Sequence, residues 1–141
     1  MRSKRVEHII RDKKKITIVM DTNMLMLIGE GINVFEQIEE KLAIKPDYVV
    51  LKHILKELEK LSRSNSPIIR RRAKLAIQVA REKCRVVDFD DNLDTDTAII
   101  EYALKTGAAV ATNDRELRRK LREKGIPEIY LREESMRIDI E

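Results

Sequence analysis

Five short apolar runs punctuate the chain, and a stretch with helical spacing separates most of them from the next. The runs are Ile16–Met20 (ITIVM), Tyr48–Leu51 (YVVL), Arg85–Phe89 (RVVDF), Ala108–Thr112 (AAVAT) and Glu128–Leu131 (EIYL). Between them, Asn33–Leu42 carries Val34, Ile38 and Leu42 on one face, and His53–Leu61 carries Ile54, Leu55, Leu58 and Leu61. Ser66-Pro67 reads as an N-cap followed by proline in the first helical position. The helix it opens runs to about Cys84, with Ile69, Ala73, Ala76 and Ala80 on one stripe. Asp94 or Thr95 caps a helix to Lys105, with Gly107 placed to end it in the left-handed conformation. Asp114–Lys124 is a last helix, stopped by Gly125. Strands apolar on both faces and separated by helices predict an α/β fold with a parallel sheet covered on both sides. Such sheets bind ligands beyond the carboxyl ends of their strands.

A chain of 141 residues with 43% apolar residues has enough to bury one core, so a single domain over 1–141 is expected. Residues 1–15 read as a basic extension, and residues 132–141 as a polar tail with no assignable element. One cysteine, Cys84, excludes an internal disulfide and a cysteine-based zinc cluster. Two histidines, His8 and His53, exclude a histidine-rich metal site. No apolar run approaches the ~20 residues that span a bilayer, and the basic start lacks the apolar segment of a secretion signal. A soluble cytoplasmic protein with no membrane partner is expected. The net charge of +4 permits an anionic partner such as nucleic acid.

The residues just after the strands are acidic. Asp21 follows the first run, Asp88, Asp90 and Asp91 lie at or after the third, and Asp114 lies after the fourth. Asp96 falls in the first turn of the helix after the third. An aspartate at a strand-to-helix junction is often only a helix cap. Several at one sheet edge repel one another, and one must hold a proton unless a cation compensates. Hard divalent ions with oxygen ligands, Mg²⁺ or Mn²⁺, suit such a cluster.

Other acidic sites fail on local spelling. A haloacid-dehalogenase-like site needs a second aspartate where Asn23 stands. A response-regulator receiver needs an acidic pair where the first strand ends in Asp21-Thr22. A dinucleotide-binding turn needs glycines, and DTNMLML has none.

The spelling resembles the PIN-domain nucleases. Asp21-Thr22-Asn23-Met24-Leu25 after ITIVM is similar to that family's opening motif. Glu57 in LKELEKL resembles its helical glutamate flanked by leucines. Asp96 in DTDTAIIEYALKTGA resembles the aspartate before an apolar helix, and Thr112-Asn113-Asp114 resembles its strand-end T-x-D. The order holds over residues 16–131. The resemblance implies a three-layer fold with about five parallel strands and a metal-dependent endoribonuclease. It implies Asp21, Glu57, Asp96 and Asp114 as catalytic and metal-binding acids, Mg²⁺ or Mn²⁺ as cofactor, and Asn23 and Thr112 as accessory polar groups. Many members have an acid directly after the third one. Here that residue is Thr97, which makes Asp94 a substitute candidate.

Within the family, LKELEKL, the basic helix after it and VATNDRELRRKLREKGIPEIYL resemble the branch that processes small-subunit ribosomal RNA. That implies pre-rRNA as partner. The VapC-type toxin branch, with an antitoxin partner, is the alternative, and a non-cleaving RNA-binding protein is a third. Divalent ions can activate water and clamp the phosphate, with the acids serving to hold them. Periodicity alone does not separate Glu57 from Glu59, and a solvated glutamate is the bland reading of either. Arg115, Arg118, Arg119 and Arg122 fall on one stripe beside the site and are candidates for RNA phosphates; a solvated surface is the alternative. Arg70–Arg72 and Lys13–Lys15 are further candidates. Aromatic residues are 4% of the chain, too few for base stacking as a broad mechanism. His53 reads as a cap or packing residue and Cys84 as core. Met24–Ile28 is either core or the interface of a homodimer.

Overall fold

The computed structural model describes residues 15–141. The basic stretch before Lys15, including Lys13 and Lys14, lies outside the described residues. The elements are β1 (Thr17–Met20), α1 (Thr22–Gly29), α2 (Val34–Leu42), β2 (Asp47–Leu51), α3 (Lys52–Leu61), α4 (Pro67–Lys83), β3 (Arg85–Val87), α5 (Thr95–Thr106), β4 (Ala109–Ala111), α6 (Arg115–Glu123), β5 (Glu128–Arg132) and β6 (Arg137–Ile140). They form one sheet in the order β3-β2-β1-β4-β5-β6. The first five strands are parallel and β6 is antiparallel to β5.

The order explains where a site can form. From β1 the chain steps outward to β2 and β3, then returns to β4 on the other side of β1 and steps outward again. Right-handed crossovers place the helices of the first half on one face and those of the second half on the other. The crevice between β1 and β4, at their carboxyl ends, is the switch point where such sheets bind ligands. Ile18, Val19, Met20 and Val110 are fully buried, so the strands that frame this crevice are anchored from both faces.

Helix ends follow the sequence chemistry. Ser66 caps α4 by accepting from the Ile69 amide, with Pro67 in the first turn. Asp94 caps α5 and Asp114 caps α6. Gly107 takes φ 75° at the end of α5, a conformation that costs glycine no Cβ clash. The alanine stripe Ala73, Ala76 and Ala80 is buried, which lets α4 lie close against α1 and α3.

The sheet has six strands where five were expected, and residues 132–141 are not a tail. Arg137–Ile140 alternates: Ile138 and Ile140 are buried while Arg137 is exposed and Asp139 half-buried. The Ile138 amide donates to Gln37 of α2 at 2.7 Å, and Asp139 pairs with Arg132 and Lys41. Helix α1 was also not expected. Its Met24, Leu25 and Leu27 are buried, and Met26 and Ile28 pack against the same core. The third strand stops at Val87, two residues short of the expected end. Among the described residues no helix is long and apolar enough to cross a membrane.

Candidate active site

Four carboxylates from four elements line one cavity of about 560 Å³ at the switch point: Asp21, Glu57, Asp96 and Asp114. Asp21 closes β1 and opens α1. Its amide donates to the Ala111 carbonyl at 2.9 Å, which fixes the end of β1 against the end of β4. One of its oxygens caps the Thr22 amide at 2.8 Å, and the other accepts from the Thr112 hydroxyl at 2.6 Å. Capping and site-building are therefore the same act at this residue. Burial pushes the Asp21 carboxyl up to about 6, against the lowering effect of the Thr112 and Thr22 hydrogen bonds. The charges of Glu57 and Asp96 add to the rise.

Glu57 reaches the cavity from α3. The Thr22 hydroxyl donates to one of its oxygens at 2.6 Å, and the Thr95 hydroxyl donates to the other at 2.5 Å. Glu59, on a different face, pairs with Arg81 instead. Periodicity left these two glutamates equivalent, and the structure separates them. Asp96 stands in the first turn of α5. Its carboxyl is raised, by partial burial first and by the charge of Asp114 next, while Lys120 opposes the shift. Asp114 caps the Leu117 amide at 3.0 Å and is exposed.

Asn23 and Thr112 tie the strand ends together. Asn23 accepts from the Asn113 amide at 3.0 Å, and Thr112 accepts from the Asp114 amide at 3.1 Å. The Asn113 side chain in turn accepts from the Leu131 amide at 2.8 Å, which extends the network to β5. Asp94 is not among the residues lining the cavity. It is exposed and caps the Thr97 amide at 2.8 Å, and the Thr97 side chain first and its amide second hold its carboxyl below the usual range. Asp88, Asp90 and Asp91 are also absent from the lining: Asp88 pairs with Lys52 and Asp91 with Lys56. His53 points its Nε2 at the carbonyls of Asp90 and Leu93, at 3.0 and 3.2 Å, and so braces the loop leading into α5.

Three further residues line the cavity, of which only Arg72 was singled out in the sequence, as one of the basic candidates. Thr95 was read only as an alternative cap. Glu30, at the end of α1, and Arg72, from α4, enter the lining through the packing of α1 on α4. A Cβ at Gly29 would sit 2.7 Å from the Cβ of Arg72, so glycine is what lets the two helices meet there.

The arginine stripe of α6 is largely spoken for. Arg118 pairs with the fully buried Glu128 at 2.7 Å and lies over the Tyr130 ring at 3.6 Å. Arg122 pairs with the same carboxylate at 3.3 Å, and Arg119 bridges Glu116 and Glu123 at 2.5 Å each. Arg115 forms no ion pair with a described residue.

Comparison with known proteins gives consistent results. Residues 18–134 match the model of the PIN like domain family. Ribonuclease VapC4 of Methanocaldococcus jannaschii is 38% identical over 121 residues, 82% of this chain and 90% of that protein. Ribonuclease VapC9 of Archaeoglobus fulgidus is 34% identical over 128 residues, 88% of this chain and 89% of that protein. The solved structure of the PIN domain endonuclease Utp24 superposes with a TM-score of 0.73 at 24% identity. It covers 89% of this chain and 90% of its own, a likeness of fold.

Proposed function

Since the chain belongs to the PIN-like domain family, we propose that it is a divalent-metal-dependent endoribonuclease whose catalytic acids are Asp21, Glu57, Asp96 and Asp114. The observation that carries this reading is the convergence of those four carboxylates on one cavity at the β1–β4 switch point. The ribonuclease relatives supply the substrate class.

The donor set fits a hard cation. Every candidate ligand is a carboxylate oxygen, and two of the acids, Asp21 and Asp96, are pushed up by burial and by neighbouring carboxylates, a strain that positive charge relieves. Among the described residues no three His, Cys, Asp or Glu side chains are gathered as a ready cage. Mg²⁺ keeps several waters and is held by only one or two carboxylates, so it does not require such a cage. A bound divalent ion supplies Lewis acidity and an activated water for phosphodiester hydrolysis. The chain's own part is to hold the acids in place. Thr112 and the Thr22 amide fix Asp21, Thr22 and Thr95 fix Glu57, and the starts of α5 and α6 present Asp96 and Asp114.

For the biological role, identities of 38% and 34% favour the VapC-type reading, which brings an antitoxin partner. A role in ribosomal RNA maturation is the second reading. It is supported by the family-branch resemblance of LKELEKL and the C-terminal segment.

The test is cleavage of end-labelled structured and unstructured RNA with Mn²⁺, Mg²⁺ or EDTA, with Asp21→Asn and Asp114→Asn beside the parent chain. Metal-dependent cutting lost in both variants is the expected result. Cutting that persists in both overturns the site assignment. The position of the cut then separates ribosomal precursor processing from toxin action, as does growth arrest on expression that a neighbouring small gene relieves.

A further inference from the structure

We infer that the RNA strand leaves the carboxylate cluster over the α3–α4 corner, its phosphates held by Lys60, Arg63 and Arg72, and not along the arginine stripe of α6. This deepens the ribonuclease reading and rests on it. A second cavity, of about 640 Å³, shares Thr22, Glu57 and Leu61 with the first. The two are therefore one groove, running from the four acids to the turn after α3. Lys60 and Arg63 line its outer part, and Arg72 lines its inner part.

The state of the cations decides between the two sides. None of Lys60, Arg63 and Arg72 forms an ion pair with a described residue. On the α6 stripe, in contrast, three of the four arginines, Arg118, Arg119 and Arg122, are neutralised by Glu128, Glu116 and Glu123, and Arg115 alone has no ion pair with a described residue. A guanidinium whose fork already binds a carboxylate must break that bond to take a phosphate. For Arg118 and Arg122, breaking it takes a cation away from the fully buried Glu128 carboxylate. An unpaired cation has no such contact to give up, and it gains the full counterion release when it neutralises a phosphate.

The groove also defines how RNA is gripped. No aromatic side chain lines either cavity, so bases have no stacking platform there. Contacts go to the backbone, which carries little sequence information. The groove thus grips an RNA backbone by charge.

The deciding experiment measures binding of a short, unstructured, fluorescein-labelled RNA by anisotropy in EDTA, where no metal-dependent cutting occurs, across a salt series. Cleavage of the same RNA with Mn²⁺ is measured beside it. The chains are the parent, K60Q/R63Q/R72Q, K60Q/R63Q and R119Q/R122Q. Loss of three phosphate contacts to a single strand lowers the slope of log affinity against log salt by about 2 in the triple variant. In K60Q/R63Q, KM rises with kcat nearly unchanged, because both side chains lie in the outer part of the groove, away from the acids. R119Q/R122Q stays within about twofold of the parent in affinity. The double variant changes only exposed side chains and carries the test if Arg72→Gln disturbs α4; its slope falls by about 1.4. Parental slope in the Lys60/Arg63 variants, or an equal loss in the α6 variant, overturns the inference while cleavage by the parent chain keeps the ribonuclease reading. A parent chain that neither binds nor cuts RNA overturns both.

Discussion

Asp21 and Glu57 hold their half of the carboxylate cluster with every side-chain oxygen already engaged, whereas Asp96 and Asp114 stand at helix starts on the more open half. Asp21 is 6% exposed, and Thr112, which grips it, is fully buried. Asp114 is exposed and makes one capping bond. The first half is thus built into the sheet and the α3 core, and its geometry is set before any ligand arrives. The second half rests on the loops that lead into α5 and α6. Fixing a charge in a buried place costs stability, and that cost falls on Asp21, whose carboxyl is raised to about 6. The difference separates what a site needs for precision from what a helix needs for capping.

The largest effect should not distinguish the halves. Asp21→Asn, Glu57→Gln and Asp114→Asn are each expected to lower metal-dependent RNA cleavage on the order of a thousandfold, the equivalent of several kcal/mol of lost charge stabilisation. Stability should then split them. Asp21→Asn is expected to stabilise the metal-free chain at pH 7 by about 1–3 kcal/mol, because the amide removes a buried charge. Asp114→Asn should change stability by less than about 1 kcal/mol, since asparagine caps as well as aspartate and loses only the charge–dipole attraction. Denaturant unfolding in EDTA measures both. Equal shifts in the two variants would erase the contrast between the halves.

The same asymmetry predicts a pH dependence. The folded value of Asp21, about 6, lies above its ordinary value of 3.8. Between these values the native state binds the proton that the unfolded state releases, so stability falls as pH rises. The loss is complete above about pH 6 and amounts to about 3 kcal/mol. The Asp21 part of it should be absent in Asp21→Asn, leaving the contribution of Asp96, whose carboxyl is also raised, and Mg²⁺ or Mn²⁺ should reverse the loss near pH 7 by binding the folded state. Melts of metal-free chain at pH 4.5 and 7, with and without divalent ion, provide the measurement. The same profile in the parent chain and in Asp21→Asn would mean that Asp21 is better solvated than its position implies.

How much of this was legible in the sequence follows the same division. Asp21, Asp96 and Asp114 were readable because a strand end followed by a capped helix is a local pattern. The parallel sheet was readable because β1, β2, β4 and β5 are apolar on both faces. Helix α1 was not, because Thr22–Gly29 is apolar around most of its circumference and leaves no period to detect. Strand β6 was hidden by composition: four alternating residues among acids and arginines bury only Ile138 and Ile140. The arginine stripe was legible as spacing, but the partners of its cations were not. Glu128 sits in a strand that follows α6, and only the fold brings it under Arg118 and Arg122. Thr95 was legible as a cap and became a clamp only when α3 brought Glu57 beside it.

The threonines give the finest test of the comparison. Thr112→Val and Thr95→Val each delete one hydroxyl that donates to a carboxylate, so each removes one fixed direction from the cluster. Such supporting contacts typically carry about 10–100-fold in metal affinity or activity, and both variants should lose cleavage within that range. Their stabilities should differ. Asp21 is too buried for water to replace the lost donor, so Thr112→Val should cost about 1–3 kcal/mol. Glu57 is only half-buried and lines an open cavity, so water takes the place of Thr95 and folding should change by less than about 1 kcal/mol. Thr95→Ser, which keeps the hydroxyl, should retain most of the activity, whereas a requirement for the methyl group alone would leave Thr95→Val active and Thr95→Ser impaired. Equal unfolding costs in Thr112→Val and Thr95→Val would mean that Glu57 is as firmly walled from solvent as Asp21, and the open half of the cleft would then begin at Asp96.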